Sequence, residues 1–247
     1  MTDALLVISK GYQMPVLNDL NDNKSIVLLS GGLDSAANLA IGSECSTIEF
    51  ALTVDYGQKA AAREISASRK LCEYYGVRHR IMKFCWLGEL AGEFGGSALT
   101  SIERDVPKLT TSDLDEAELT RATAKAVWVP NRNGVLINAA AAFAESLCVP
   151  SVVVGFNKEE AATFPDNSQD YLVAVNRSLF FSTSNGVRVL SYTASLDKRE
   201  IVRSLRALKK RFPFEMLWSC YLGGELPCGQ CESCVRLSRA VTEGPGK

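Results

Sequence analysis

The chain has 247 residues, 47% of them hydrophobic, enough for one sizeable core or for a main domain with a small appendage. A net charge of −1 and a pI near 6.0 provide no global positive field, which argues against nucleic acid or a membrane surface as partner and for a small-molecule substrate. No apolar stretch approaches the roughly 20 residues of a membrane span, and the short run Ala4 to Ile8 follows Asp3 with no cleavage site after it, so a soluble, cytoplasmic protein is expected.

Residues 1–24 read as an N-terminal extension. Ser25 to Leu29 is a short apolar strand, followed by a glycine turn and a helix over Asp34 to Ile41. Ile48 to Val54, Val77 to Phe84, Ser151 to Val154 and Val187 to Ser191 are further strands. Helices are expected at Lys59 to Tyr75, after Asn133 to about Leu147, at Gln169 to Ser182 and at Asp197 to Phe212. In the last of these Ile201, Leu205 and Leu208 share a face, and the basic residues are assigned to solvent. Gly92 to Lys125 has no sustained period and reads equally as a lid or as a weak acidic helix. Strands apolar on both faces and alternating with helices predict an α/β fold, an open parallel sheet sandwiched by helices. The loops after Leu29, Val54 and Val154 should then face one cleft beyond the carboxyl ends of the strands. The predicted organisation is an α/β domain over 25–212 and a small C-terminal subdomain over 213–247.

The turn Ser30-Gly31-Gly32-Leu33-Asp34-Ser35 joins strand to helix, so it sets bare amides and a helix N-terminus where phosphate oxygens are attracted. Ser30 and Ser35 add hydroxyls, and Asp34 can cap the helix or orient magnesium. The lysine of a Walker-type loop is missing. An ordinary glycine-rich turn would look similar, but the hexapeptide matches the SGGxDS signature of PP-loop enzymes at every fixed position, directly after the first strand.

Four of the eight cysteines, Cys220, Cys228, Cys231 and Cys234, crowd into fifteen residues. Two C-x-x-C turns share Cys231, and the intervening glycines and proline let Cys220 fold back as a fourth thiolate, a pattern that predicts structural zinc. An iron–sulfur cluster is the rival, because C-x-x-C-x-x-C also occurs in ferredoxins. The scattered Cys45, Cys72, Cys85 and Cys148 receive no chemical role. His79, the single histidine, is assigned a structural place, and without it a built-in Cys–His glutaminase is excluded.

Val129-Pro130-Asn131-Arg132-Asn133 ends a loop and opens a helix, with Arg132 able to clamp a phosphate or carboxylate. Gly155 to Glu160 follows a strand, and Phe164-Pro165-Asp166-Asn167 precedes a helix. These stretches read equally as a substrate site or as a charged loop with a helix cap at Asp166 or Asn167.

Together, LLSGGLDS, VDYGQ at Val54 to Gln58, SALT at Ser97 to Thr100, WVPNRN, GFNKEE with TFPDN, and SCYLGG with CGQCESC resemble the 7-cyano-7-deazaguanine synthase family, QueC, in its archaeal branch. The resemblance runs from Ser25 to about Arg239. It implies conversion of 7-carboxy-7-deazaguanine and ammonia to 7-cyano-7-deazaguanine with ATP, one structural zinc, and a homodimer. Carried over by motif, Leu29, Ser30, Gly31, Gly32, Leu33, Asp34, Ser35 and Leu39, with Asp55 and Tyr56, would hold ATP and Mg2+, and the four clustered cysteines Zn2+. Lys158, Arg132 and Asp34 are the catalytic candidates; Glu159, Glu160, Phe164, Asp166 and Arg132 are those for the deazaguanine. No direct nucleic-acid binding is expected, although a tRNA-modifying PP-loop enzyme, a paralogue that joins the deazaguanine to a protein amine and a non-catalytic nucleotide sensor are the alternatives. Two departures stand out: the extension before the first strand, and Asn131, where the family more often has Gly or Ala.

Overall fold

The structure, a computed structural model, describes residues 23–242; residues 1–22, which contain nearly all of the expected extension, lie outside the described part. Five parallel strands form one sheet in the order β3-β2-β1-β4-β5. They are β1 (Lys24–Leu28), β2 (Thr47–Asp55), β3 (His79–Lys83), β4 (Ser151–Val153) and β5 (Arg188–Leu190). In register, Ile26 lies opposite Phe50 and Val152, and Val27 opposite Ala51 and Val153. The chain leaves β1 toward β2 on one side and returns to β4 on the other, so the gap between β1 and β4 is the switch point at which such sheets bind ligands.

Successive residues of β1 feed two separate apolar layers, as the period of two demands. Ile26 packs with Phe50, Leu52 and Val152 under α5 (Arg132–Ser146) and α7 (Gln169–Ser182). Val27 packs with Ala51 and Val153 under α1 (Leu33–Cys45), α2 (Ala61–Tyr75) and α8 (Lys198–Arg206). This is the open sandwich expected of strands that are apolar on both faces.

Helix boundaries follow local chemistry. Gly76, with φ +69, closes α2 through its N–H to Cys72 O and Glu73 O. Asp197 and Glu200 form a reciprocal capping box at the start of α8, which stops at Arg206, short of the expected Phe212. Ser168, rather than Asp166 or Asn167, caps α7, because residues 165–167 are already wound into a 3₁₀ turn. Three helices were not anticipated as such: α3 (Cys85–Glu93), the short α6 (Lys158–Ala161) and α9 (Glu232–Thr242). In the aperiodic stretch the acidic-helix reading holds in part, as α4 (Ala117–Ala126), which buries Thr120, Thr123 and Ala124.

The cysteine segment packs on Ala98 and Val106, and Leu109 N–H donates to Gln230 O. Helix α9 lies against α8, with Ala240 in the same apolar layer as α1. His79 bonds Thr53 Oγ1 at 2.8 Å between β2 and β3, a structural place.

Phe50 is fully buried and meets Phe143 edge-on with centroids 6.0 Å apart. Phe50→Ala is therefore expected to lower unfolding free energy by about 3–5 kcal/mol in urea titrations; a loss below about 1 kcal/mol would contradict this packing.

Candidate active site and metal centre

The turn after β1 is built by close approach. Gly31 has φ +78, and a Cβ there would lie 2.8 Å from Ala67 Cβ and 3.0 Å from Glu64 O, so only glycine fits. Trp218 N–H holds Gly31 O at 2.9 Å. The hydroxyls of Ser30 and Ser35 lie 3.0 Å apart, and Ser35 Oγ accepts from Ser30 N. The first intrahelical bond of α1 runs from Ala36 N to Gly32 O, which leaves the amides of residues 33–35 as donors at the positive end of the helix. On the other side of the switch point a Cβ on Gly155 would fall 2.6 Å from Ser35 N. The β4 loop is thereby pressed against the phosphate-ready turn.

Asp34 does not cap its helix: the N-cap is Gly32, without a side-chain bond. Its Oδ2 instead accepts from Lys198 Nζ at 2.7 Å, and the same ammonium donates to Glu160 Oε1 at 2.8 Å. Lys198 is only 5% exposed. Burial alone would drive its proton off, but Asp34 and Glu160 outweigh that and hold it charged. Burial likewise opposes ionisation of Glu160, yet Lys198, with Arg236 and Arg132 behind it, keeps the carboxyl below its usual range. Asp34 is the surplus acid: burial, reinforced by Glu160, pushes it up to about 6 against the pull of Lys198, and its Oδ1 is buried with no partner.

These groups line one cleft of roughly 1390 Å³, open mouth included. The phosphate-ready turn lines it together with Tyr56, Arg132, Phe164 and Tyr221. Arg132 Nη1 donates to Tyr56 OH at 3.3 Å, with its guanidinium over the Tyr56 ring. Phe164 lies parallel to Trp128. Asn131 has φ +51, a left-handed conformation that asparagine tolerates, and it turns the chain so that Arg132 opens α5.

Several expected site residues are placed elsewhere. Lys158 is exposed on α6 and does not line the cleft; the lysine there is Lys198, one of the basic residues of α8 expected in solvent. The signal was present, because Lys198 precedes Ile201 by three positions and Leu205 by seven, on the buried stripe of α8. Leu39 is fully buried in the core, and Gly31 shapes the turn without lining the cleft. Asp55 accepts from Gly57 N, outside the lining. Glu159 turns away from the cleft, with Oε2 on Arg236 Nη1 at 3.0 Å and Oε1 on Lys198 N. Asp166 is half-buried behind Asn133, which bonds its carbonyl. Sequence reasoning also missed Glu64, Trp218 and Ser219 in the lining, and Arg236, which pairs with both Glu159 and Glu232.

The four clustered cysteines place their sulfurs all within 4.8 Å of one another. One tetrahedral ion bound by thiolates at about 2.3 Å needs sulfurs roughly 3.8 Å apart, so the group fits a single ion such as zinc. An iron–sulfur cage, which inserts its own iron and sulfide atoms between the thiolates, needs a wider spread. Amides of Leu222, Cys228 and Cys231 donate to these sulfurs, as thiolate ligands require.

Glu64 accepts from Gln58 Nε2 at 2.8 Å, and burial pushes its carboxyl from 4.5 up to about 7. The folded state therefore binds more protons than the unfolded one between pH 4.5 and 7, so stability falls as pH rises through that window. Glu64→Gln should lack this fall and melt higher than wild type above pH 7, by about 1–3 kcal/mol of stability, with the difference vanishing below pH 4.5. Parallel melting curves at all pH values would contradict the burial of this acid.

Comparison with known proteins agrees with this geometry. The model of the family described as queuosine biosynthesis protein QueC matches residues 24–244. A 7-cyano-7-deazaguanine synthase from Methanosarcina barkeri is 54% identical over 220 residues, covering 88% of this chain and 93% of that protein. The protein of the same name from Methanosarcina mazei is 52% identical over the same shares. Among solved structures, NMN synthetase from Francisella tularensis is similar with a TM-score of 0.46 and 12% identity, over 94% of this chain and 82% of that one. With its cleft at the β1/β4 switch point and a family match that spans nearly all the described residues, the chain belongs to the QueC family.

Proposed function

We propose that the chain is an ATP-dependent carbon–nitrogen ligase that converts 7-carboxy-7-deazaguanine and ammonia to 7-cyano-7-deazaguanine, the product named in its relatives. The observation that carries this reading is one cleft with two chemistries. A helix start ready for phosphate, with a buried ammonium beside it, shares the cleft with an arginine and an aromatic ring that suit a planar carboxylic acid.

A carboxylate resists attack by ammonia because its carbon is electron-rich and oxide is a poor leaving group. In this reading Arg132 orients the substrate carboxylate, Phe164 covers the ring, and the carboxylate oxygen attacks the α-phosphorus. Pyrophosphate leaves toward residues 30–35, where amides, hydroxyls and Lys198 meet the growing charge. Ammonia displaces AMP to give the amide, and a second adenylation on the amide oxygen permits elimination to the nitrile.

Magnesium would be held by Asp34, whose unpartnered Oδ1 is a free oxygen ligand, and would neutralise phosphate charge. Zinc would be held by Cys220, Cys228, Cys231 and Cys234, which leave it no open position and so a structural task. Four thiols this close call for a reducing compartment, which supports a cytoplasmic location. Among the described residues no helix is long and apolar enough to cross a membrane. A homodimer would cover the exposed Val173 and Phe181 of α7.

Mass spectrometry after mixing the chain with ATP, ammonium and 7-carboxy-7-deazaguanine should show the nitrile together with AMP and pyrophosphate. ADP as the nucleotide product, or ATP left intact, would sink the proposal. Lys198→Met should cut pyrophosphate release by about 100-fold or more. A folded Lys198→Met protein, by its melting curve, with wild-type release would remove Lys198 from the reaction.

A further inference from the structure

The cleft contains three carboxylates, and two are committed: Asp34 and Glu160 share the Lys198 ammonium. The third, Glu64, makes no ion pair among the described residues. It is nevertheless firmly placed. Gln58 donates to Glu64 Oε2 and is itself fixed at both ends, with Nε2 to Val54 O at 3.1 Å and Oε1 receiving Tyr56 N at 2.9 Å. Glu64 also stands beside the phosphate-ready turn, since its backbone oxygen lies 3.0 Å from where a Cβ of Gly31 would be.

We propose that Glu64 is the catalytic base that binds the ammonium ion in the cleft and takes its proton, delivering ammonia to the activated carboxyl. This rests on the ligase reading above. At neutral pH the nitrogen source is almost wholly ammonium, which has no lone pair with which to attack, so a site that uses it needs both a negative group to collect the cation and a base to deprotonate it. Glu64 supplies both. One ammonium proton passes to the carboxylate, and the freed nitrogen pair forms the C–N bond. The C–O bond to AMP then breaks, its electron pair leaving on the AMP phosphate oxygen. The surplus proton on nitrogen goes to that phosphate or to water, and Glu64 returns its own proton to solvent.

The charged and titratable groups facing Glu64 suit the task. Arg132 from α5 pulls its proton affinity down, Asp55 at the end of β2 raises it, and Tyr56 stands between them. Burial outweighs them and leaves the carboxyl titrating near neutrality, where a base can both accept and return a proton.

The test compares two nucleophiles in the intact, metal-loaded protein. Hydroxylamine is already unprotonated at neutral pH and traps the acyl-adenylate as a hydroxamate without needing a base. For Glu64→Gln, the ratio of amide formed from ammonium to hydroxamate formed from hydroxylamine should fall at least about tenfold below wild type at neutral pH. It should recover at alkaline pH, where free ammonia is abundant. Glu64→Asp, which keeps a carboxylate, should restore part of the ratio. Hydroxamate production shows that a variant is folded and adenylates its substrate. If both products fall equally, or if the ratio stays at the wild-type value, Glu64 is not the base. If wild type releases no pyrophosphate with the deazaguanine acid, the ligase reading itself fails, and this inference with it.

Discussion

The site is organised around one buried ammonium. Lys198 opens α8, Asp34 lies in the first turn of α1, and Glu160 belongs to α6, so a single charge ties three helix starts to the carboxyl edge of the sheet. A charge withdrawn from water is tolerated only with its partners, and removing one partner of a buried pair costs about 3–5 kcal/mol. The close contact of Gly155 with Ser35 belongs to the same arrangement, because it brings the β4 loop near enough for Glu160 to reach Lys198. Two carboxylates on one ammonium leave a surplus of negative charge, which suits a cation at the phosphates.

The cysteine segment reaches this cluster by two routes. Upstream, Trp218 holds the carbonyl of Gly31 just before Cys220, the first of the four clustered thiols. Downstream, α9 begins after Cys231 and carries Glu232 and Arg236; Arg236 grips Glu159, whose neighbour Glu160 pairs with Lys198. Thr123 of α4 donates to the other oxygen of Glu232, extending the network to α4. A metal bound by four thiolates would thus hold the phosphate-ready turn and the acidic loop in fixed relation, which is a positional task beyond fastening the chain end.

Much of this was legible in the sequence. The strand run Ile26-Val27-Leu28, apolar on both faces, specified a central parallel strand; Gly31 announced a turn that no side chain could enter; and the spacing of Cys228, Cys231 and Cys234 specified convergent thiolates. What escaped was long-range. Lys158 and Lys198 are both lysines beside acids, and only packing of α8 onto α1 decides which is buried. Glu159 and Glu160 are adjacent, yet the roughly 100° between successive residues of α6 sends one to Arg236 and the other to the cleft. Glu64 carries no motif of its own, and nothing local records that Gln58 and the Gly31 turn stand against it.

In the proposed reaction the turn after β1 seats the outer phosphates of ATP and leaves the α-phosphorus open toward Arg132. A crystal structure of the chain with a non-hydrolysable ATP analogue and magnesium tests it most directly. The β- and γ-phosphate oxygens are expected on the amides of residues 31–35 beside Lys198, with the α-phosphate facing the Arg132 side. A nucleotide held elsewhere, or with its γ-phosphate turned toward Arg132, would contradict it.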